Sequence, residues 1–192
     1  MPFLDYVVPT YYVIATAEAS SNLSRFDGIK YGFRAPDAEN TIESIYRKSR
    51  SEGFGPEVLK RILLGTYVLS AGHYDAYYKK ALQVKAMLKQ QFDTLFESYD
   101  AIVCPNAPYT APLVGADMSP HQRYLSDIFT ASVNLAGLPA LSLPCGLDAN
   151  GMPVGAQIIG QRLCDETVLQ LGHAFQEVTD HHKQTPREGG AV

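Results

Sequence analysis

The chain has 192 residues and a mass of 21.1 kDa, enough for one domain with a sizeable core. Hydrophobic residues at 46% against 19% charged exclude an intrinsically disordered chain, and a net charge of −4 excludes a globally basic nucleic-acid binder. Cys104, Cys145 and Cys164 are widely spaced with no Cys-x-x-Cys pair, which excludes a disulfide framework or a zinc site and suits a reducing compartment.

In chain order, Pro9 suits the first turn of a helix, where its missing N–H is not needed. Tyr12, Ala15, Ala19 and Leu23 then recur at helical spacing up to the Asp27-Gly28 pair. Residues 29–40 read as loop, and Asn40 and Thr41 are cap candidates for a helix through Arg50 with Glu43 in its first turn. A breaker cluster over 51–56 ends at Pro56, which opens a second helix. Its apolar side is expected to carry Val58, Leu59, Ile62, Leu63, Thr66 and Leu69, with Gly72 near the end. A third helix, lysine-rich on its outer face, is expected from Asp75 to Phe96. The short apolar run 101–105 reads as a buried strand, and 109–120 as loop. A helix over 123–135 is stopped by Gly137 and Pro139. Strands over 140–144 and 154–159 follow, joined by a turn at 148–152, then a last helix over 166–179 and a polar, mobile tail.

Helices alternating with short buried strands indicate an α/β sandwich, in a single domain over 1–180 with the tail at 181–192. About three strands make a meagre sheet for so many helices, so further strands are expected from elsewhere. No apolar run approaches the roughly 20 residues that cross a bilayer, and MPFLDYVVPTYY lacks the features of a signal peptide. The expectation is a cytoplasmic or organelle-matrix protein that does not enter a membrane.

The segments YYVIATAEASSNLSRFDGIKYG (11–32), GFGPEVLKRILLGTYVLSAGHYDAYYKKALQVK (53–85), YLSDIFTASVNLAGLPALSLPCG (124–146) and GMPVGAQIIG (151–160) cover most of the chain. They resemble the A subunits of glutamine-dependent aspartyl/glutamyl-tRNA amidotransferases, within the amidase signature family. The blocks around Asn134 to Ala140 and Pro153 to Gly155 occur widely in that family, whereas EASSNLSRFDG and RILLGTYVLSAGHYDAYY are particular to the tRNA-dependent subunits. The resemblance implies an α/β/α sandwich with a mixed sheet flanked by helices, of which this chain is an incomplete, C-terminal part.

The resemblance also implies that Tyr12, Arg61 and Asp127 recognise a glutamine substrate. An arginine can take the α-carboxylate through a two-pronged, charge-assisted pair, an aspartate the α-ammonium, and a tyrosine hydroxyl can add orientation. Each residue has another reading: Tyr12 as core packing, Arg61 as an i,i+4 surface partner of Glu57, and Asp127 as a helix N-cap or a solvated residue. Against the surface pair, Arg61 is on the side of Gly65, which is expected to leave room beside the helix.

The family's catalytic residues, two serines and a lysine with a Gly-rich oxyanion turn, match nothing within these 192 residues, so the chain alone is expected to be inactive. Ser20 and Ser21 lie inside a helical pattern and are rejected as that pair. Cys104 and Cys145 read as inert buried thiols. Lys79, Lys80, Lys85 and Lys89 read as a solvated helix face rather than an RNA contact, and His73, His121 and His173 have no metal-type spacing. No cofactor is expected in this chain. The resemblance assigns ATP and Mg to a tRNA-binding kinase/transamidase subunit. Its other implied partners are a small third subunit, with tRNA met indirectly, together with the missing N-terminal part of the same polypeptide. A non-catalytic interaction module, or part of a generic amide hydrolase, are the alternative readings.

Overall fold

The computed structural model of the chain separates into two units, one over 9–84 and the other over 1–8 with 85–192, and within them it describes residues 4–119, 122 and 125–185.

The first unit is helical. Its first helix, α1, is Val7–Leu23, whose first two residues fall in the other unit together with the preceding 3-10 turn at Leu4–Tyr6. Pro9 is the third residue of α1, where the backbone N–H groups have no intrahelical acceptor. The buried positions Thr10, Ile14, Thr16 and Ala17 differ from the expected face, because Tyr12, Ala15, Ala19 and Leu23 are only half-buried. Threonine is what displaced the pattern: the Thr16 hydroxyl donates to the Tyr12 carbonyl at 2.7 Å, which satisfies it inside the core.

Helix α2, Ile42–Gly53, starts at Thr41, whose Oγ1 accepts from the Ser44 N–H at 3.2 Å. Arg50 on α2 donates through Nη1 to the carbonyls of Leu23 (2.8 Å) and Phe26 (3.0 Å), closing the end of α1 where helix carbonyls lack partners. Between the two helices, Asp27 accepts from the N–H groups of Ile29 and Lys30. Gly28 follows at φ +71°, and a Cβ there would meet the Phe33 carbonyl at 2.8 Å.

Helix α3, Pro56–Leu69, has Pro56 at its first position and Gly55 as N-cap. Its packed stripe runs through Val58, Arg61, Ile62, Gly65, Val68 and Leu69, while Leu59, Leu63 and Leu64 are exposed. This corrects the expected apolar side, and Gly65 is the reason. A Cβ at Gly65 would fall 1.9 Å from the Thr16 carbonyl, so α1 comes close at that position and the room beside the glycine is occupied. Ser20 Oγ and Thr66 Oγ1, 3.0 Å apart, extend the same seam. The expected third helix is divided into a π-helical turn, Tyr74–Tyr78, and helix α4, Lys79–Phe96, which continues into the second unit.

The second unit carries a three-stranded antiparallel sheet in the order β1-β3-β2, with β1 Ala101–Pro105, β2 Ala140–Leu147 and β3 Pro153–Gly160. Strands β2 and β3 form a hairpin in which Leu141 pairs with Ile158 and Leu143 with Ala156, with a register shift between Pro144 and Gly146. Pro144 is tolerated because β2 is an edge strand of this sheet. The turn is fastened by Asp148, whose Oδ1 accepts from the N–H groups of Asn150 and Met152, and whose Oδ2 accepts from the Thr110 hydroxyl at 3.0 Å.

Helix α5, Ile128–Ala136, and helix α6, Asp165–Val178, flank this sheet. Helix α6 covers one face: Val168 and Phe175 pack with Leu143 and Ile158. A Cβ on Gly172 would meet Leu141 Cδ2 at 2.2 Å, which marks how closely helix and sheet approach. Adjacent strand residues point to opposite faces, so Gln157 looks away from α6. Its Nε2 donates to the Phe129 carbonyl of α5 at 3.4 Å. Helices therefore lie on both faces of the sheet, an α/β arrangement of which this chain holds part. Gly137 ends α5 at φ +71° with its N–H bonding back to Val133 and Asn134. The expected start of this helix at Arg123, and His121, lie outside the described residues. In the polar tail, 181–183 form a 3-10 turn, and 186–192 lie outside the described residues.

Candidate functional site

Arg61 is anchored by its own helix. Glu57, in the acidic first turn where a carboxylate is favoured, stands one turn before it and accepts from Arg61 Nε at 3.0 Å. The Glu57 carboxylate and, after it, the Tyr11 hydroxyl hold the guanidinium in its charged form, raising it above the usual arginine value against an opposing desolvation cost. The i,i+4 pair foreseen as the alternative reading is thus formed, yet Arg61 is not on the outer face. Its side chain is 37% exposed and belongs to the packed stripe of α3.

Tyr11 and Tyr12 lie on α1, both half-buried, with ring centroids 5.6 Å apart in an edge-on arrangement. Matching turns of the two helices explain the meeting. Thr16 is one turn after Tyr12 and Gly65 one turn after Arg61, so the close approach at Thr16–Gly65 brings the preceding turns together. The structure therefore groups Tyr11, Glu57 and Arg61 within the first unit, with Tyr12 beside Tyr11 on the same helix. Tyr11 and the supporting part played by Glu57 were not foreseen. The Tyr11-Tyr12 doublet one helical turn before a packed threonine, together with a glutamate four residues before the arginine, was the available signal.

Asp127 belongs to the second unit, at the N-cap position of α5 with φ −98° and ψ 8°. It is exposed, and its side chain makes no capping hydrogen bond; only its carbonyl serves the helix, accepting from the Ala131 N–H at 2.8 Å. The preceding turn is held by Tyr109, whose hydroxyl lies 2.5 Å from both the Gln122 carbonyl and Ser126 Oγ.

Several of the remaining candidates have structural partners. Ser20 bonds Thr66, and Lys79 pairs with Asp75 at 2.6 Å over the Tyr74 ring. Cys104, Cys145 and Cys164 are free thiols; Cys104 and Cys145 are half-buried rather than fully buried, Cys104 near Gln157 Nε2 (3.5 Å) and Cys145 near the Val154 carbonyl (3.4 Å). Among the described residues no group of His, Cys, Asp and Glu side chains is placed to hold a metal ion, and no helix is long and apolar enough to cross a membrane.

Residues 1–169 match the family profile described as Amidase. The chain is 53% identical to the glutamyl-tRNA(Gln) amidotransferase A subunit of Desulforudis audaxviator, over 100% of this chain and 39% of that protein. It is 54% identical to the protein of the same name from Cyanothece sp. (strain PCC 7425), over 97% of this chain and 39% of that one. Among solved structures, the glutamyl-tRNA(Gln) amidotransferase A subunit of Thermotoga maritima superposes with a TM-score of 0.64 at 40% identity, covering 92% of this chain and 33% of that chain. The chain thus spans about two fifths of the length of the curated relatives it matches.

Proposed function

Because this chain belongs to the Amidase family, we propose that it is the C-terminal portion of the glutaminase subunit of a tRNA-dependent amidotransferase. In the intact enzyme, the side-chain amide of glutamine is attacked by a lysine-activated serine outside this chain. An acyl-enzyme forms, ammonia leaves, and water releases glutamate. The ammonia serves a partner subunit that uses ATP and Mg to convert misacylated Glu-tRNA(Gln) or Asp-tRNA(Asn), and a small third subunit completes the complex in the cytoplasm or an organelle matrix.

Within this chain, Arg61 takes the glutamine α-carboxylate, Tyr12 orients the substrate and Asp127 receives the α-ammonium. The observation that carries the reading is the placement of Arg61: a guanidinium on the packed stripe of α3, held at Nε by Glu57 and flanked by the Tyr11-Tyr12 turn. Glu57 takes only the Nε edge of this guanidinium, which leaves its terminal nitrogens for a second carboxylate. The 53–54% identity to proteins named for the tRNA-dependent amidotransferase favours this reading over a generic amide hydrolase.

The test begins with the mass of the native polypeptide, immunoprecipitated from its source cells with an antibody to this region. A species far above 21.1 kDa is expected. That species releases ammonia from glutamine, and Arg61→Ala raises its KM for glutamine by about two orders of magnitude, as loss of a charge-assisted bidentate contact does. The 192-residue chain alone releases none. Ammonia release by the pure chain, or an intact enzyme as active on simple aliphatic amides as on glutamine, would overturn the assignment.

A further inference from the structure

The way Arg61 is held says more than that it is present. A guanidinium offers five N–H donors in a flat fork, and a carboxylate can engage it either side-on, through Nε and one terminal nitrogen, or end-on, through both terminal nitrogens. Glu57 accepts from Nε at 3.0 Å, so the side-on edge is taken. The Tyr11 hydroxyl lies beside the same group and helps to hold it charged, and its ring is set edge-on against Tyr12 at 5.6 Å. Both supports stand on helices, and the Glu57 side chain is 63% exposed. Glu57 occupies the first turn of α3, and Tyr11 stands on α1, which approaches α3 at the Thr16–Gly65 contact and is joined to it by the Ser20–Thr66 bond.

We propose that Glu57 and Tyr11 are positioning residues for Arg61, fixing its guanidinium so that both terminal nitrogens meet the substrate's α-carboxylate end-on. The inference rests on the glutamine-binding reading of Arg61 and deepens it. Glu57 then acts as a specificity residue through Arg61 rather than as a surface ion-pair partner. An arginine left to swing would accept the carboxylate in several poses, and the reacting amide at the other end of the substrate would be misplaced accordingly. Tyr11 contributes less, since a neutral hydroxyl oxygen is a weaker acceptor for a guanidinium than a carboxylate.

The experiment uses the intact glutaminase that carries this chain, with glutamine and a short aliphatic primary amide lacking an α-carboxylate as the two substrates. Glu57→Ala should lower the ratio of kcat/KM for glutamine over the aliphatic amide about tenfold, with the loss reaching the glutamine kcat because the reacting amide is misplaced. Glu57→Gln, which keeps the acceptor oxygen, should recover most of it, and Tyr11→Phe should cost about threefold. Arg61→Ala is the reference. If Arg61→Ala raises the glutamine KM and Glu57→Ala leaves the ratio alone, the positioning proposal fails while the glutamine reading stands. If Arg61→Ala leaves the glutamine KM alone, both fail. A lower KM in Glu57→Ala would make Glu57 a competitor for the guanidinium, and an equal loss on both substrates would make it a folding residue; either overturns the proposal.

Discussion

Single residues in this chain are legible to the extent that their role depends on chemistry rather than on neighbours. Arg61 and Glu57 could be paired from their spacing alone, but that pairing suggested a solvated surface, where it would be worth about 0.3–0.5 kcal/mol. Only the packed stripe of α3 shows that the guanidinium is half-covered rather than on the outer face. Asp148 is a simpler case, because an Asp four residues before Met152 in an Asp-Ala-Asn-Gly turn already suggests side-chain capping. The N–H of Met152 holds its carboxyl below the usual carboxylate value against an opposing desolvation effect second only to it, with the Asn150 N–H and the Thr110 hydroxyl adding to the lowering. A folded-state value below the unfolded one stabilises the fold above about pH 4, and that contribution is lost as pH falls through the folded value. The Tm difference between the wild type and Asp148→Asn, seen at pH 7, should therefore shrink as pH drops below about 4. A difference constant from pH 7 to pH 3 would show that the charge contributes nothing.

At the scale of elements, boundaries followed local signals. Thr41, Pro56 and Gly137 each begin or end a helix where their caps and backbone preferences put them. Removing the Thr41 hydroxyl by Thr41→Ala should cost about 1 kcal/mol in urea unfolding, with no cost disproving the cap. Faces were harder to read than boundaries. Hydropathy favours Leu59 and Leu63 as the buried side of α3, yet Leu63 is 70% exposed and Gly65 lies against the Thr16 carbonyl. Gly65→Ala should destabilise by about 3 kcal/mol through forced separation of α1 and α3, whereas Leu63→Ala should change stability by less than about 0.5 kcal/mol. The reverse order of these two values would place the packed face of α3 on the leucines.

The whole molecule has two units and covers 39% of its curated relatives, and apolar surface remains open on it. Leu59, Leu63 and Tyr67 recur every fourth residue along α3 at 39%, 70% and 50% exposure, forming a continuous strip. Such strips drive association in water. Sedimentation of the isolated chain should show concentration-dependent oligomers that Leu63→Glu with Tyr67→Ser diminishes; a monomer at all concentrations would contradict this.

What the amino-acid sequence determined by itself was the family, the helices and strands, and the residue types suited to an amino-acid substrate. These depend on local propensity, turn chemistry and motif, which neighbouring residues carry in their order. Tertiary structure decided which faces are packed and what Arg61 touches. A glycine in a helix has no hydropathy to announce a close crossing, and a buried threonine hides its hydroxyl on its own helix. The approach of α1 to α3 at Thr16 and Gly65 arises between segments 49 residues apart, the difference of those two positions. No local pattern encodes it, and it is what sets Tyr11 beside Arg61.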